Sequence, residues 1–255
     1  MTLVAISRAV SASLPQCQIS FIERVPIDVA RARDQHAGYE RALESLGVRL
    51  LRLPPADELP DATFVEDAAL VLDEIAVIPI MGAPSRRPEV AAVARSLSPY
   101  RQLRHLEAPA TLDGGDVMRV DRTLYVGVTA RTNRAALAQL QAIVEPLDYR
   151  VVPLIPTGCL HLKSACTYLG RGIVLANPDW VDVSCLKGLE VMPIASEEPF
   201  AANALEITGK LLYADDSPRT RAELERRGFE VVPIEIGELR KAESATTCMS
   251  IVFEI

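Results

Sequence analysis

Apolar and polar positions along the chain alternate in blocks that repeat. Proline-containing apolar runs, VVPLIP at Pro153, VMPI at Pro193 and VVPI at Pro233, lie 40 residues apart, and VRLLRLPP at Pro54 and RHLEAP at Pro109 are looser versions. After each run a polar start leads into β-type residues: FVEDAALVL from Phe64, LDGGDVMRV from Leu112, HLKSACTYL from His161, AANALEI from Ala202 and TTCMSIVFEI from Thr246. A second apolar run follows the first four of these, as IAVIPI, TLYVGV, GIVLA and LLYA. Helix signals come next in APSRRPEVAAVARSL, TARTNRAALAQLQAIV and SPRTRAELERRG, where small or hydroxyl residues and an arginine precede a run of helical period. NPDWVDVSCLKG has room only for a short helix, and an early helix is predicted from about Asp28 to Leu46.

The order strand–strand–helix–strand therefore recurs five times, with a unit of about 40 to 50 residues. The N-terminal segment and the C-terminal strand share one unit. That sharing favours a closed ring, because closure removes exposed strand edges. A helix-free four-stranded blade does not fit the pattern; an open, doubly wound α/β sheet is the alternative.

Composition narrows the class of partner. The chain has 255 residues, 27 Lys and Arg against 34 Asp and Glu, and a net charge of −7. With 49% hydrophobic and 24% charged residues it is an ordinary globular sequence, not a disordered one. The acidic excess argues against nucleic acid or an anionic membrane as a partner. The most apolar stretch, Ile75 to Ala83, is about half the ~20 residues of a spanning helix. The start MTLVAISRAV lacks a secretory pattern. Cysteines at 17, 159, 166, 185 and 248 are odd in number and form no C-x-x-C pair, which points to a reducing, cytoplasmic setting and away from structural zinc.

In a ring, the polar starts of the first strands converge near the axis. They carry Glu66, Asp67, Asp113, Asp116, His161, Asn203 and Cys248. Such groups are costly to bury without partners, so their recurrence in phase signals a site. Cys17, Cys159, Cys166 and Cys185 read as packing residues, whereas Cys248 in TTCMS shares the phase of the other starts. Of three histidines, His36 lies on a helical stripe with Ala32, Tyr39 and Leu43, and His105 sits on a strand out of phase; His161 is in phase with Cys248. A thiol attacks at neutral pH only with a base or a cation beside it. In LDGGDV, Gly114 and Gly115 permit unusual backbone angles and close approach of a ligand. Several carboxylates beside one thiol suit a planar guanidinium, and Arg86 and Arg131, on turns after second strands, are placed to grip a carboxylate at the far end of the same ligand.

The runs LPDATFVED, GAPSRRPEV, ATLDGGDV, ARTN, LHLKSA and TCMS, extended by SRAVSASL and PIDVARARDQHAGYERAL, resemble the dimethylarginine dimethylaminohydrolases over nearly the whole chain. These belong to the guanidine-modifying (pentein) superfamily. The resemblance implies one catalytic domain over residues 1–255, an α/β five-bladed ββαβ propeller with pseudo-fivefold symmetry. It implies hydrolysis of Nω-methylated L-arginines to L-citrulline and dimethylamine or methylamine through a covalent Cys-thiouronium, with a small molecule as the partner. No metal or organic cofactor is implied, and a homodimer is compatible with it. Cys248 then matches the nucleophile, His161 the general acid–base and Asp113 the group orienting the histidine. Glu66 and Asp67 match residues at the guanidinium end, Asp61, Arg86 and Arg131 those at the amino-acid end, and Leu14 a lid-loop residue over the site. Ala242 and Glu243 fall among the substrate-binding positions. There the chain departs from the family, reading AES at 242–244 where Asp-Gly is common, which bears on substrate selectivity. Arginine deiminase-type hydrolysis and non-catalytic binding of a cationic amino acid are the competing readings. Deiminases usually carry a large helical insertion for which this chain has no room.

Overall fold

Proline lacks a backbone donor and is tolerated in sheets only at edges. The computed structural model, which describes residues 2–255, places the recurrent prolines accordingly. The strands are β1 (Leu3–Arg8), β2 (Arg49–Leu53), β3 (Leu70–Val71), β4 (Ile75–Ile78), β5 (Gln102–His105), β6 (Val117–Val120), β7 (Thr123–Gly127) and β8 (Arg150–Leu154). They continue as β9 (Cys166–Tyr168), β10 (Ile173–Ala176), β11 (Glu190–Pro193), β12 (Ala204–Ile207), β13 (Lys210–Ala214), β14 (Glu230–Ile234) and β15 (Ile251–Glu254). They form five three-stranded sheets, ordered β15-β1-β2, β3-β4-β5, β6-β7-β8, β9-β10-β11 and β12-β13-β14. Pro153, Pro193 and Pro233 lie in the edge strands β8, β11 and β14, opposite Val126, Ala176 and Tyr213.

In every sheet the middle strand runs antiparallel to one neighbour and parallel to the other. A parallel pair needs a crossover. Helices α1 (Val29–Ser45), α2 (Val90–Leu97), α3 (Arg134–Val144) and α5 (Pro218–Arg226) provide four of them; α4 (Leu162–Ala165) and α6 (Gly237–Arg240) are single turns elsewhere. The short helix expected in NPDWVDVSCLKG is only a 3-10 turn, Val183–Cys185, started by the Asp182 carboxylate accepting from the Ser184 N–H at 3.0 Å. Asp28 caps α1, accepting from the Arg31 N–H at 3.1 Å. Ala32, His36, Tyr39 and Leu43, at helical spacing, form its buried face, and three of them pack with Ala5, Leu212 and Ile234 from two different sheets. Each large apolar side chain so buried contributes roughly 1.5–3 kcal/mol. Tyr39 also bonds through its hydroxyl to Ser250 at 2.6 Å, tying α1 to the chain just after Cys248.

One strand from each sheet lines a single axial cavity, represented by Leu70, Met118, Thr167, Leu205 and Ile251. β6 touches β9, β9 touches β12, and β15 touches β3. The polar starts are not strands as expected. Helical turns at Val65–Ala68, Gly114–Asp116 and Leu162–Ala165 lead into β3, β6 and β9. The difference has a physical reason: in a strand, adjacent Glu66 and Asp67 would point to opposite faces, whereas on the turn both line one pocket. Among the described residues, no helix is long and apolar enough to cross a membrane.

Candidate active site

The pocket sits at one end of the axis. Asp61, Glu66, Asp67, His161, Thr247 and Cys248 are among its lining residues. Its floor is a bridge of charge: Lys163 donates to Glu66 Oε1 at 2.5 Å and the Thr247 hydroxyl donates to Glu66 Oε2 at 2.8 Å. Glu66, Lys163 and Thr247 also line the axial cavity, so this bridge divides the two spaces.

His161 stands among three carboxylates. Nε2 lies 3.8 Å from Asp67 Oδ1 and 3.9 Å from Asp113 Oδ2, and Nδ1 lies 3.8 Å from Asp116 Oδ2. These are ion-pair distances, too long for hydrogen bonds, and both ring nitrogens are buried without a hydrogen-bond partner. Burial opposes a charge on the ring, but Asp116, Asp67 and Asp113 outweigh it and raise the pKa, favouring imidazolium. The acids are fixed from behind. Asp116 accepts from Thr129 at 2.8 Å, Thr132 at 2.7 Å and the Leu162 N–H at 2.9 Å, while Asp113 accepts from the Gly82 N–H at 2.8 Å. Burial and then the Asp67 charge push Asp113 up to about 6. Asp67 is also buried, yet Arg86 and His161 bring it down to about 2.

The paired glycines serve close packing rather than unusual angles, for neither adopts a positive φ. A Cβ on Gly114 would lie 2.1 Å from the Glu66 carbonyl oxygen, and one on Gly115 would lie 2.8 Å from Asp67 Oδ1 and 3.0 Å from the His161 ring. The GG pair is thus what lets the Asp113 and Glu66 segments and the imidazole approach each other.

Cys248 is half-buried in the same pocket, and its sulfur accepts from the Ala245 N–H at 3.4 Å. Burial, Glu66 and Asp67 push the thiol up to about 12, with Lys163 and the amide working the other way. Of the other cysteines, Cys17, Cys159 and Cys166 are buried as expected, but Cys185 is exposed on the turn at Asp182 rather than packed.

Arg86 is wholly covered. It reaches Asp67 at 2.6 Å, Glu89 at 2.9 Å and the Phe64 carbonyl at 3.0 Å. Arg131 approaches Asp113 at 3.4 Å, and both arginines line the pocket. Asp61 accepts from the Gln18 N–H at 3.1 Å, with burial raising its pKa. Ala242 lines the wall. Leu14, expected over the site, does not line it: the 3-10 turn Leu14–Gln16 inserts this apolar side chain fully into the core beside Val10 and Cys17. Gln18, four residues on, faces the pocket instead. Glu243, expected to touch a ligand, borders the pocket but its carboxylate accepts from the backbone N–H groups of Ser20, Phe21 and Ile22. Its extra methylene relative to Asp lengthens that reach.

Sequence reasoning missed Lys163 and left Asp116 without a role. LHLKSA held the signal for the first, since it carries a lysine two residues after His161, on the single helical turn that His161 precedes. Asp67, Asp113 and His161 offer ligand atoms within 4.8 Å of one another, but the oxygens of Asp67 already accept from Arg86 and Gly115, and those of Asp113 from Gly82 and Arg131. The arrangement suits a buried imidazolium and a ligand cation better than a metal.

A thiol, an imidazole and several acids held at one end of five small sheets define an α/β scaffold for chemistry on a cationic group. Residues 10–183 match the family model for N,N dimethylarginine dimethylhydrolase, eukaryotic. The chain is 38% identical over 249 residues to an N(G),N(G)-dimethylarginine dimethylaminohydrolase of Streptomyces coelicolor, covering 97% of this chain and 95% of that one. It is similar to a Pseudomonas aeruginosa DDAH structure, a cysteine-to-serine mutant complexed with citrulline, at 31% identity and TM-score 0.92, covering 99% of this chain and 100% of that one. A histidine-to-glycine dimethylarginine dimethylaminohydrolase forming an adduct with S-methyl-L-thiocitrulline gives TM-score 0.95 at 31% identity, with the same coverage. This chain belongs to the dimethylarginine dimethylaminohydrolase family.

Proposed function

We propose that the protein hydrolyses Nω-methylated L-arginines to L-citrulline, releasing dimethylamine or methylamine. The observation that supports this most is the shared pocket of Cys248 and His161 with Asp67, Asp113 and Asp116 around the imidazole. Relatives caught with citrulline and with S-methyl-L-thiocitrulline agree with it.

Burial first, and then Glu66 and Asp67, favour the protonated thiol in the free protein. A guanidinium bound between those acids and the sulfur replaces their negative field with a positive one and favours the thiolate. The thiolate attacks the central guanidinium carbon, forming a C–S bond. Hydrogen bonds from the substrate N–H groups to Asp67 and Glu66 hold the tetrahedral intermediate. His161, as imidazolium, gives its proton to the departing amine nitrogen as the C–N bond breaks, since an amide anion does not leave. A thiouronium on Cys248 remains. Neutral His161 then takes a proton from water; the hydroxide adds to the same carbon, the C–S bond breaks, and citrulline and thiolate result. Asp113 holds the imidazole, a duty that Asp116 shares on the opposite nitrogen. Asp61, Arg86 and Arg131 receive the amino-acid end, and Arg86 also holds Asp67 in place.

The five sheets are read as blades of one propeller with pseudo-fivefold symmetry, supported by the strand from every sheet that lines the axial cavity, and the domain as residues 1–255. A cytoplasmic setting rests on the odd, unpaired cysteines, and a homodimer on family membership alone, to be measured by sedimentation. Citrulline assay on asymmetric dimethylarginine and on arginine side by side tests the substrate. Cys248→Ser is expected to lower turnover about 10³-fold or more; faster turnover of arginine than of its methylated form would replace this reading with deimination.

A further inference from the structure

Residues 18–27 run beside the pocket as a strap with no regular element. Gln18 lines the reactive pocket, and Phe21 and Ile22 line an apolar chamber beside it with Leu160, Phe200 and Ala245. None of the strap's N–H groups donates to a backbone carbonyl. Four of its amides go to carboxylates instead. Gln18 donates to Asp61 at 3.1 Å; Ser20 donates to Glu243 Oε2 at 2.9 Å; Phe21 and Ile22 both donate to Glu243 Oε1, the latter at 3.0 Å. Arg24 closes the strap's base on the carbonyls of Pro15 at 2.7 Å and Cys17 at 2.6 Å.

Glu243 occupies the left-handed backbone region at φ 58, which a side chain with a Cβ adopts at a cost. Such strain persists where the surroundings demand it. Here the side chain meets the amides of Ser20, Phe21 and Ile22, and the same loop supplies the Ala245 amide to the Cys248 sulfur. Both carboxylate oxygens are then committed to three consecutive N–H groups that have no other partner, and charge-assisted bonds of this kind are the strong ones.

We propose that Glu243 is a positioning residue that latches the strap over the pocket and thereby controls access to Cys248 and the retention of bound ligand. It touches no reacting atom and acts through Gln18, Phe21 and Ile22. Because ligand and transition state are enclosed alike, the latch contributes to binding rather than to the chemical step. Only the kinetic arm of the test rests on the proposed function.

Glu243→Gln keeps the size but leaves one acceptor oxygen; Glu243→Gly removes the carboxylate and relieves the backbone, so the fold is retained. Both are made in the full chain, with thermal midpoints recorded. Trypsin cleavage after Arg24, mapped by mass spectrometry, is expected to quicken about tenfold, and iodoacetamide labelling of Cys248 severalfold, as the strap opens. KM for dimethylarginine rises about fivefold or more while kcat stays within about twofold. Unchanged cleavage and labelling in both variants would overturn the latch, as would a fall in kcat at constant KM, which would put Glu243 in the chemistry. Cleavage and labelling need no turnover, so a protein that releases no citrulline refutes the proposed function while these two measurements still decide the latch.

Discussion

The two walls of the pocket are built by opposite means. The inner wall, around Asp67, Asp113, Asp116 and His161, is a buried network in which each carboxylate is held by a backbone amide as well as by other groups. The outer wall, residues 18–27, lacks backbone–backbone donation and hangs from the side chains of Asp61 and Glu243. Charged groups whose distances must stay fixed are placed where the fold cannot relax. The part that must part and close is placed where a few bonds can be exchanged for water. Local stability is expected to follow this division.

The contrast is sharpest at the sulfur, which belongs to the inner wall but faces the acids. With the thiol pushed up to about 12, iodoacetamide labelling of free Cys248 should rise roughly tenfold per pH unit between pH 6 and 9. A plateau near neutrality would mean that the protein, not the ligand, supplies the activating cation.

Next in size is the buried Arg86. Arg86→Met leaves Asp67 and Glu89 without their guanidinium and should cost about 3–5 kcal/mol in denaturant unfolding. A loss below about 1 kcal/mol would mean that the inner wall relaxes as readily as the strap.

A pH titration of stability isolates Asp67. Its folded value of about 2 lies below the usual 3.8, so its contribution is present above pH 4 and is lost as pH falls toward 2. The loss is of order 2 kcal/mol, and it should shrink in Asp67→Asn, as read from urea midpoints between pH 5 and 2.

The smallest effect is expected outside both walls. Arg219 and Glu197 lie 2.5 Å apart, but both are well exposed, and Arg219→Ser should leave the urea midpoint unmoved.

Much of this was legible in the chain, for reasons that differ by residue. Pro153, Pro193 and Pro233 marked recurring strands, and the structure sets those strands at sheet edges, where a missing donor is tolerated. Asp28 marked the start of α1, and the in-phase polar residues marked the pocket, because apolar strands do not carry such groups without cause. Arg86 and Glu243 were less legible. Both were expected to grip ligand; Arg86 lines the pocket but also bonds Asp67 and Glu89, and Glu243 bonds the amides of a segment more than 220 residues away in sequence. Leu14 carried a lid role by likeness, and its apolar side chain went to the core instead.

The sequence alone determined the repeat, the proline-bearing strands, the helix starts and the candidate reactive groups, because each of these follows from short-range backbone chemistry or from periodic burial. Only the tertiary structure decided which acid meets which cation, which imidazole nitrogen faces which carboxylate, and what holds the strap. Those pairings join residues that the chain keeps far apart, and electrostatic energy depends on distance and burial, neither of which a sequence contains until it is folded.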